Sequence, residues 1–110
     1  MSEKAPRVAP ELIRTTNPKL AELTDEVLFG DVWERPGLSK RDRSLVTVTA
    51  LAVLGRDKQL VGHLRRALDN GVTVDELREA ITHLTFYAGW PAGMTATQVL
   101  ADVLADDTSI

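Results

Sequence analysis

The chain is expected to fold as an all-α protein. Apolar residues return every three or four positions from Leu20 onward, and no stretch of useful length alternates as a half-buried strand would. The helical runs are also bounded by capping residues and by Gly or Pro breaks.

Three of the five prolines, Pro6, Pro10 and Pro18, fall in the first eighteen residues. Residues 1–18 are therefore expected to form a loosely held arm with at most one helical turn, ahead of a helical domain over 19–106. Asn17-Pro18 opens the first long helix, with asparagine as cap and proline in the first turn. Leu20, Leu23, Val27 and Leu28 form its stripe toward Trp33, and Arg35-Pro36-Gly37 ends it. Ser39 caps the next helix, with Asp42 three residues on, while Lys40, Arg41 and Arg43 crowd a first turn where cations oppose the helix dipole. From Leu45 to Leu54 that helix is apolar on every side except for Thr47 and Thr49, which predicts that it is surrounded and hints at subunit packing.

Gly55 breaks the run, Asp57 stands where a cap is needed, and Asn70-Gly71 stops the following helix after Leu60, Leu64, Ala67 and Leu68. Thr73-Val74-Asp75-Glu76 reads as a capping box for a helix that buries Leu77, Ala80, Ile81, Leu84 and Ala88. Gly89-Trp90-Pro91 ends it, and a last helix from Ala92 to about Leu104 buries Ala96, Val99, Leu100 and Val103. Its small first turns permit close approach to a neighbouring helix.

At 110 residues there is room for one domain. A formal charge of −3 gives no general attraction to nucleic acid, although arginines can still gather an anionic small molecule locally. The absence of cysteine excludes disulfides, thiol peroxidase chemistry and cysteine-based metal sites, and fits a cytoplasmic protein. Met1-Ser2-Glu3-Lys4 is not followed by the apolar run of a secretory signal. The segment 44–55 is too short to span a bilayer, and 81–101 carries a histidine and Gly and Pro breaks, so no membrane partner is expected.

His63 and His83 are the only histidines. Gln59 precedes the first by four residues and Tyr87 follows the second by four, which places each pair on one helical face. Imidazole changes charge near neutral pH, so two oriented histidines at the flanks of buried stripes are candidate acid/base groups. Arg41 and Arg43 belong to a run from Lys40 that is usually a solvated helix start and gains interest only beside a histidine pocket. Tyr87 and Trp90 read equally as pocket wall or as packing, Trp33 more readily as packing, and Arg65 and Arg66 as surface partners for acids such as Asp69. No carboxylates are spaced with the histidines as a ligand set, so a metal-free, cofactor-free site is expected.

Taken together, Trp33-Glu34-Arg35-Pro36-Gly37-Leu38, Arg41, Arg43-Ser44-Leu45, His63-Leu64-Arg65, Asn70-Gly71-Val72-Thr73 and Tyr87-Ala88-Gly89-Trp90-Pro91-Ala92 resemble the carboxymuconolactone decarboxylase family. The resemblance covers roughly residues 19–104. It implies an alkylhydroperoxidase-D-like fold of about six helices around an antiparallel helical hairpin, assembled as a homotrimer or homohexamer. It also implies removal of carbon dioxide from a carboxylated lactone in aromatic catabolism. Under it, His63 matches the family histidine, and Arg41 and Arg43 match the arginines after the Pro-Gly-Leu turn, which implies that they are carboxylate holders whose guanidinium forks bind bidentately. The peroxidase branch carries a cysteine pair where this chain has Arg56 and Gln59, so thiol reductase activity is excluded. The decarboxylase branch typically carries a cysteine at Ala88 and a histidine at Thr95, and His83, one turn before Tyr87, is the candidate to stand in for the missing imidazole. The expected function is a cofactor-independent lyase acting by histidine-mediated proton transfer on a lactone or related carbonyl compound. The alternatives are an isomerase, dehydratase or cyclase step in biosynthesis, or a binding scaffold without chemistry.

Overall fold

The computed structural model describes residues 6–108, so the first five residues of the expected arm, including the Met1–Lys4 start, lie outside the described residues. Six α-helices and no strand occur among the described residues, in agreement with the all-α expectation. They are α1 (Glu11–Thr16), α2 (Pro18–Leu23), α3 (Lys40–Leu54), α4 (Asp57–Asp69), α5 (Val74–Ala88) and α6 (Trp90–Thr108). The chain gathers into two compact units that divide between Lys40 and Arg41.

In the first unit, residues 11–16 form a six-residue helix where the prolines suggested at most one turn. Asn17 Oδ1 caps α2 by accepting from Leu20 N–H, as its position before Pro18 predicts. The helix expected to run on past Leu23 instead changes pitch: Thr24–Leu28 is a π-helical turn, and Val32–Glu34 a separate 3-10 turn. Thr24 Oγ1 donates to Leu20 C=O at 2.8 Å, and Phe29 N–H reaches back five residues to Thr24 C=O at 3.0 Å.

The buried stripe also differs from the expected one. Leu20, Leu23, Val27 and Leu28 are exposed, while Ala21, Asp25, Phe29 and Trp33, each four residues apart, are buried. A buried carboxylate explains the register. Asp25 Oδ1 accepts from Val8 N–H at 2.8 Å and Ala9 N–H at 2.9 Å, and Oδ2 accepts from Arg14 Nη1 at 2.7 Å. Burying this group in any other orientation would strand its charge. Trp33 stacks on Phe29 at 5.6 Å between ring centroids, the packing role read for it from the sequence.

In the second unit, α6 packs along both α4 and α5. Leu60, Leu64 and Ala67 of α4, Leu77, Ile81 and Leu84 of α5, and Ala96, Val99, Leu100 and Val103 of α6 share one core with Val48 and Ala52 of α3. Of the other stripe positions read from the sequence, Leu68 is half-buried against this core, Ala80 is half-buried and Ala88 is exposed. On α3, Val46, Val53 and Leu54 are exposed, so the all-round apolar run is only partly enclosed.

The helix ends are specified locally. Asn70-Gly71-Val72 closes α4 in a Schellman arrangement: Val72 N–H donates to Ala67 C=O at 2.9 Å and Gly71 N–H to Leu68 C=O at 3.1 Å, with Gly71 at φ 98°. Asp57 is the first residue of α4 rather than its cap, a position where a carboxylate still favours the positive end of the helix. Thr73 and Glu76 form the full capping box at the start of α5. Trp90 and Pro91 belong to α6, not to a break before it, because proline is tolerated in a first turn. Gly89 alone joins α5 to α6, and the two form an antiparallel hairpin in which Thr85 lies beside Gly93. A Cβ on Gly93 would overlap Thr85 Oγ1 and lie 2.9 Å from Thr85 Cβ, so the helices approach as closely as they do because residue 93 has no side chain.

Two outcomes are expected. Gly93→Ala should destabilise the protein by about 1–3 kcal/mol in urea denaturation, as overpacking does, and pairing it with Thr85→Ala should recover part of the loss. Asp25 is held at about 2, below its ordinary 3.8, by the Arg14 hydrogen bond first and then by the Ala9 and Val8 N–H groups. Its stabilisation is therefore complete above pH 3.8 and lost as pH falls toward 2. Acid titration followed by amide exchange at Val8 and Ala9 should show their protection lost in that window, and at neutral pH in Asp25→Ala.

Candidate active site

A cavity of about 560 Å³ lies between two stripes of side chains with helical spacing. Arg41, Leu45 and Thr49 follow one another on α3 at intervals of four, and Asp75 and Glu76, Glu79 and Ala80, then His83 and Leu84 do so on α5. Leu45, Ala80 and Leu84 make an apolar wall. The Thr49 hydroxyl is committed to its own helix, donating to Leu45 C=O at 2.9 Å. Arg41, His83 and three carboxylates supply the polar remainder.

The guanidinium of Arg41 is tethered at two points. Nη1 donates to Asp42 Oδ1 at 3.0 Å, and Nη2 donates to Glu76 Oε2 in a close ion pair. Glu76 is itself fixed, because its Oε1 accepts from Thr73 N–H at 2.9 Å and its own N–H donates to Thr73 Oγ1 at 3.1 Å. The Glu76 carboxyl is accordingly held below the usual carboxylate range, by the Thr73 N–H first and by Arg41 next. Arg41 is held above its ordinary value, chiefly by Glu76. A second polar contact secures the same end of α3: Asn70 Nδ2 donates at 2.9 Å to the hydroxyl of the fully buried Ser44. Asp75 pairs with Arg78 at 2.8 Å, one turn along α5.

His83 is exposed at the cavity edge, with its ring 4.9 Å from that of Tyr87 on the same helical face. Of the residues singled out from the sequence, the cavity thus brings together Arg41 and His83. Its lining does not include His63, Gln59, Arg43, Tyr87 or Trp90. Trp90 meets Phe86 edge-to-face at 5.4 Å and lines a smaller groove of about 180 Å³ between α5 and α6, with Met94 and Thr97.

Gln59 is exposed on α4, one turn before the half-buried His63. Burial lowers the basicity of the His63 imidazole, and the nearby positive charge of Arg66 lowers it further. The sequence reading missed the acidic side of the cavity. Glu76 was legible only as a cap, yet Asp75, Glu79 and His83 recur at intervals of four on one face of α5, and that period was the available signal. No group of three or more His, Cys, Asp or Glu side chains among the described residues is arranged to hold a metal ion. No helix among them is long and apolar enough to cross a membrane.

Comparison with known proteins gives a consistent assignment. Residues 18–102 match the carboxymuconolactone decarboxylase family. The chain is 40% identical over 106 residues to 4-carboxymuconolactone decarboxylase of Acinetobacter baylyi, covering 96% of this chain and 79% of that protein. It is 39% identical over 85 residues to nitrosuccinic acid decarboxylase of Metarhizium robertsii, covering 77% of this chain and 59% of the relative, which is less than two thirds of its length.

The environment of His63 yields a measurable outcome. Its imidazole should titrate by NMR below the ordinary 6.5, and Arg66→Ala should move the midpoint part of the way back. Because the folded value lies below the unfolded one, the neutral ring contributes stability above pH 6.5 that is lost as pH falls through the lowered value. A midpoint at or above 6.5 would contradict the burial argument.

Proposed function

The chain belongs to the carboxymuconolactone decarboxylase family, and on that premise we propose that it removes carbon dioxide from a small carboxylated lactone or related carbonyl acid by proton transfer. The observation that carries this reading is the presence of Arg41 and His83 in one cavity with an apolar wall. Loss of carbon dioxide breaks a carbon–carbon bond and leaves its electron pair on the substrate carbon, delocalised into the neighbouring carbonyl as an enolate. A proton must then be delivered to that carbon.

Arg41 retains three of its five N–H donors after its bonds to Asp42 and Glu76, enough to hold a carboxylate that stays on the substrate. The carboxylate to be lost lies against Leu45, Ala80 and Leu84, where it is poorly solvated, and becoming neutral carbon dioxide relieves that cost. His83 stabilises the developing enolate and supplies the proton, which solvent then replaces at its exposed edge. Tyr87, ring against ring with His83, limits the positions the imidazole can take. His63 with Gln59 on α4, and Arg43 on α3, serve in this reading as a second proton site and a second anion holder outside the cavity lining. The protein works as a homo-oligomer, a reading supported by the exposed Val46, Val53 and Leu54 on α3 and Phe86, Trp90 and Met94 beyond the cavity.

Carbon dioxide release from 4-carboxymuconolactone and from nitrosuccinic acid, the substrates in the names of the two relatives, tests the proposal. His83→Ala should lower kcat by about 100-fold or more, the usual contribution of a positioned acid/base, and Arg41→Ala should act mainly on KM. His63→Ala should fall short of the His83 effect. Wild-type turnover of neither acid would remove the decarboxylase reading, and unchanged kcat in His83→Ala would remove its proton carrier.

A further inference from the structure

We propose that Glu76 is the positioning residue for Arg41, fixing the guanidinium at the cavity in the orientation that leaves its remaining N–H groups free to receive a substrate carboxylate. The inference rests on the reading of Arg41 as the carboxylate-holding group.

The two oxygens of Glu76 have separate tasks. Oε1 accepts from Thr73 N–H at 2.9 Å, while Oε2 accepts from Arg41 Nη2. The backbone of Glu76 is held as well, through its N–H donated to Thr73 Oγ1 at 3.1 Å. Glu76 is therefore held at its backbone and at one carboxylate oxygen, leaving the other oxygen for Arg41. An arginine side chain has many rotamers of similar energy, and pairing it with a mobile acid would fix little. Glu76 differs because its own position is dictated by the start of α5.

Asp42, the other partner of Arg41, is its chain neighbour on the exposed first turn of α3. Without Glu76, the other carboxylates lining the same cavity are Glu79 and Asp75, the latter already paired with Arg78. A released guanidinium would be drawn to them across the space a substrate occupies. Losing Glu76 thus weakens carboxylate binding twice over, by freeing Arg41 and by redirecting it.

Glu76→Gln separates this role from the capping role. The two donors that Glu76 receives sit on different oxygens, and an amide replaces one oxygen by NH2, so glutamine can keep the cap or the arginine but not both. Glutamine is an accepted capping-box residue, so the cap is the bond it should keep. Thr73→Ala is the matching control: it removes the hydroxyl half of the cap and leaves the Thr73 N–H to hold Glu76.

The experiment measures binding of 4-oxopentanoate, an unreactive keto acid with one carboxylate, to the full chain by NMR titration, beside KM and kcat for whichever relative's acid is turned over. Glu76→Gln should weaken probe binding and raise KM by about 5-fold or more, the scale of one charge-assisted contact, with kcat changed much less. Thr73→Ala should lower the melting temperature yet bind the probe within about two-fold of wild type. Probe binding unchanged or tighter in Glu76→Gln, a matching loss in Thr73→Ala, or no binding by the wild type would each overturn the inference. If the probe behaves as expected while neither acid releases carbon dioxide, the decarboxylase reading fails and the positioning role of Glu76 stands. If Arg41→Ala binds the probe as well as wild type, the carboxylate-holding reading fails and takes the inference with it.

Discussion

The reciprocal hydrogen bonds between Thr73 and Glu76 start α5, and the same glutamate reaches across to Arg41 on α3, so one local capping motif also sets the geometry of the cavity. The short connection before it is equally occupied. Asn70 ends α4 and donates to the buried Ser44, Gly71 supplies the positive φ of the turn, and Val72 drops into the core. Four residues between two helices therefore stop one, start the next and pin a third. Cations in the first turn of α3 are opposed by its helix dipole. The carboxylates of Glu76 and Asp42 offset that repulsion for Arg41, so the residue is held in an unfavourable position by charges brought to it from elsewhere in the fold.

The cavity owes its character to two helices with matched repeats. Both α3 and α5 present a side chain to it every four residues, with Arg41 and Glu76 at one end, Thr49 and His83 at the other, and Leu45, Ala80 and Leu84 as the apolar wall. A site on rigid helices, rather than on loops, needs little reorganisation when an anion arrives. The close approach of α5 to α6 at Gly93 contributes by packing the opposite face of α5, which leaves His83, Glu79 and Glu76 on the side away from the core.

The first unit follows the same logic with a different group. There a single buried carboxylate, Asp25, gathers two backbone N–H groups and a guanidinium, and its needs override the hydrophobic stripe that leucines at helical spacing would suggest. The π-helical turn at Thr24–Leu28 rotates the chain so that Asp25, Phe29 and Trp33 lie in line with Ala21. In a segment with few apolar contacts to offer, satisfying one charge outweighs burying several leucines.

By itself the sequence determined the helical class, the core faces of α4, α5 and α6, the capping box at Thr73 and the stop at Asn70-Gly71, because each depends on residues within one or two turns of each other. It also singled out His63 and His83 by imidazole chemistry, and Arg41 and Arg43 through the family motif, of which only His83 and Arg41 line the cavity. The partnership of Arg41 with Glu76, thirty-five positions apart, and the separation of His63 on α4 from the cavity that His83 lines were decided only when the helices packed. Register inside the first unit was likewise set by contacts from Val8 and Ala9 to Asp25. Local patterns encode helices and their ends. A period within one helix shows which of its own side chains share a face, whereas which side chains of different helices share a space is fixed only by packing between those helices.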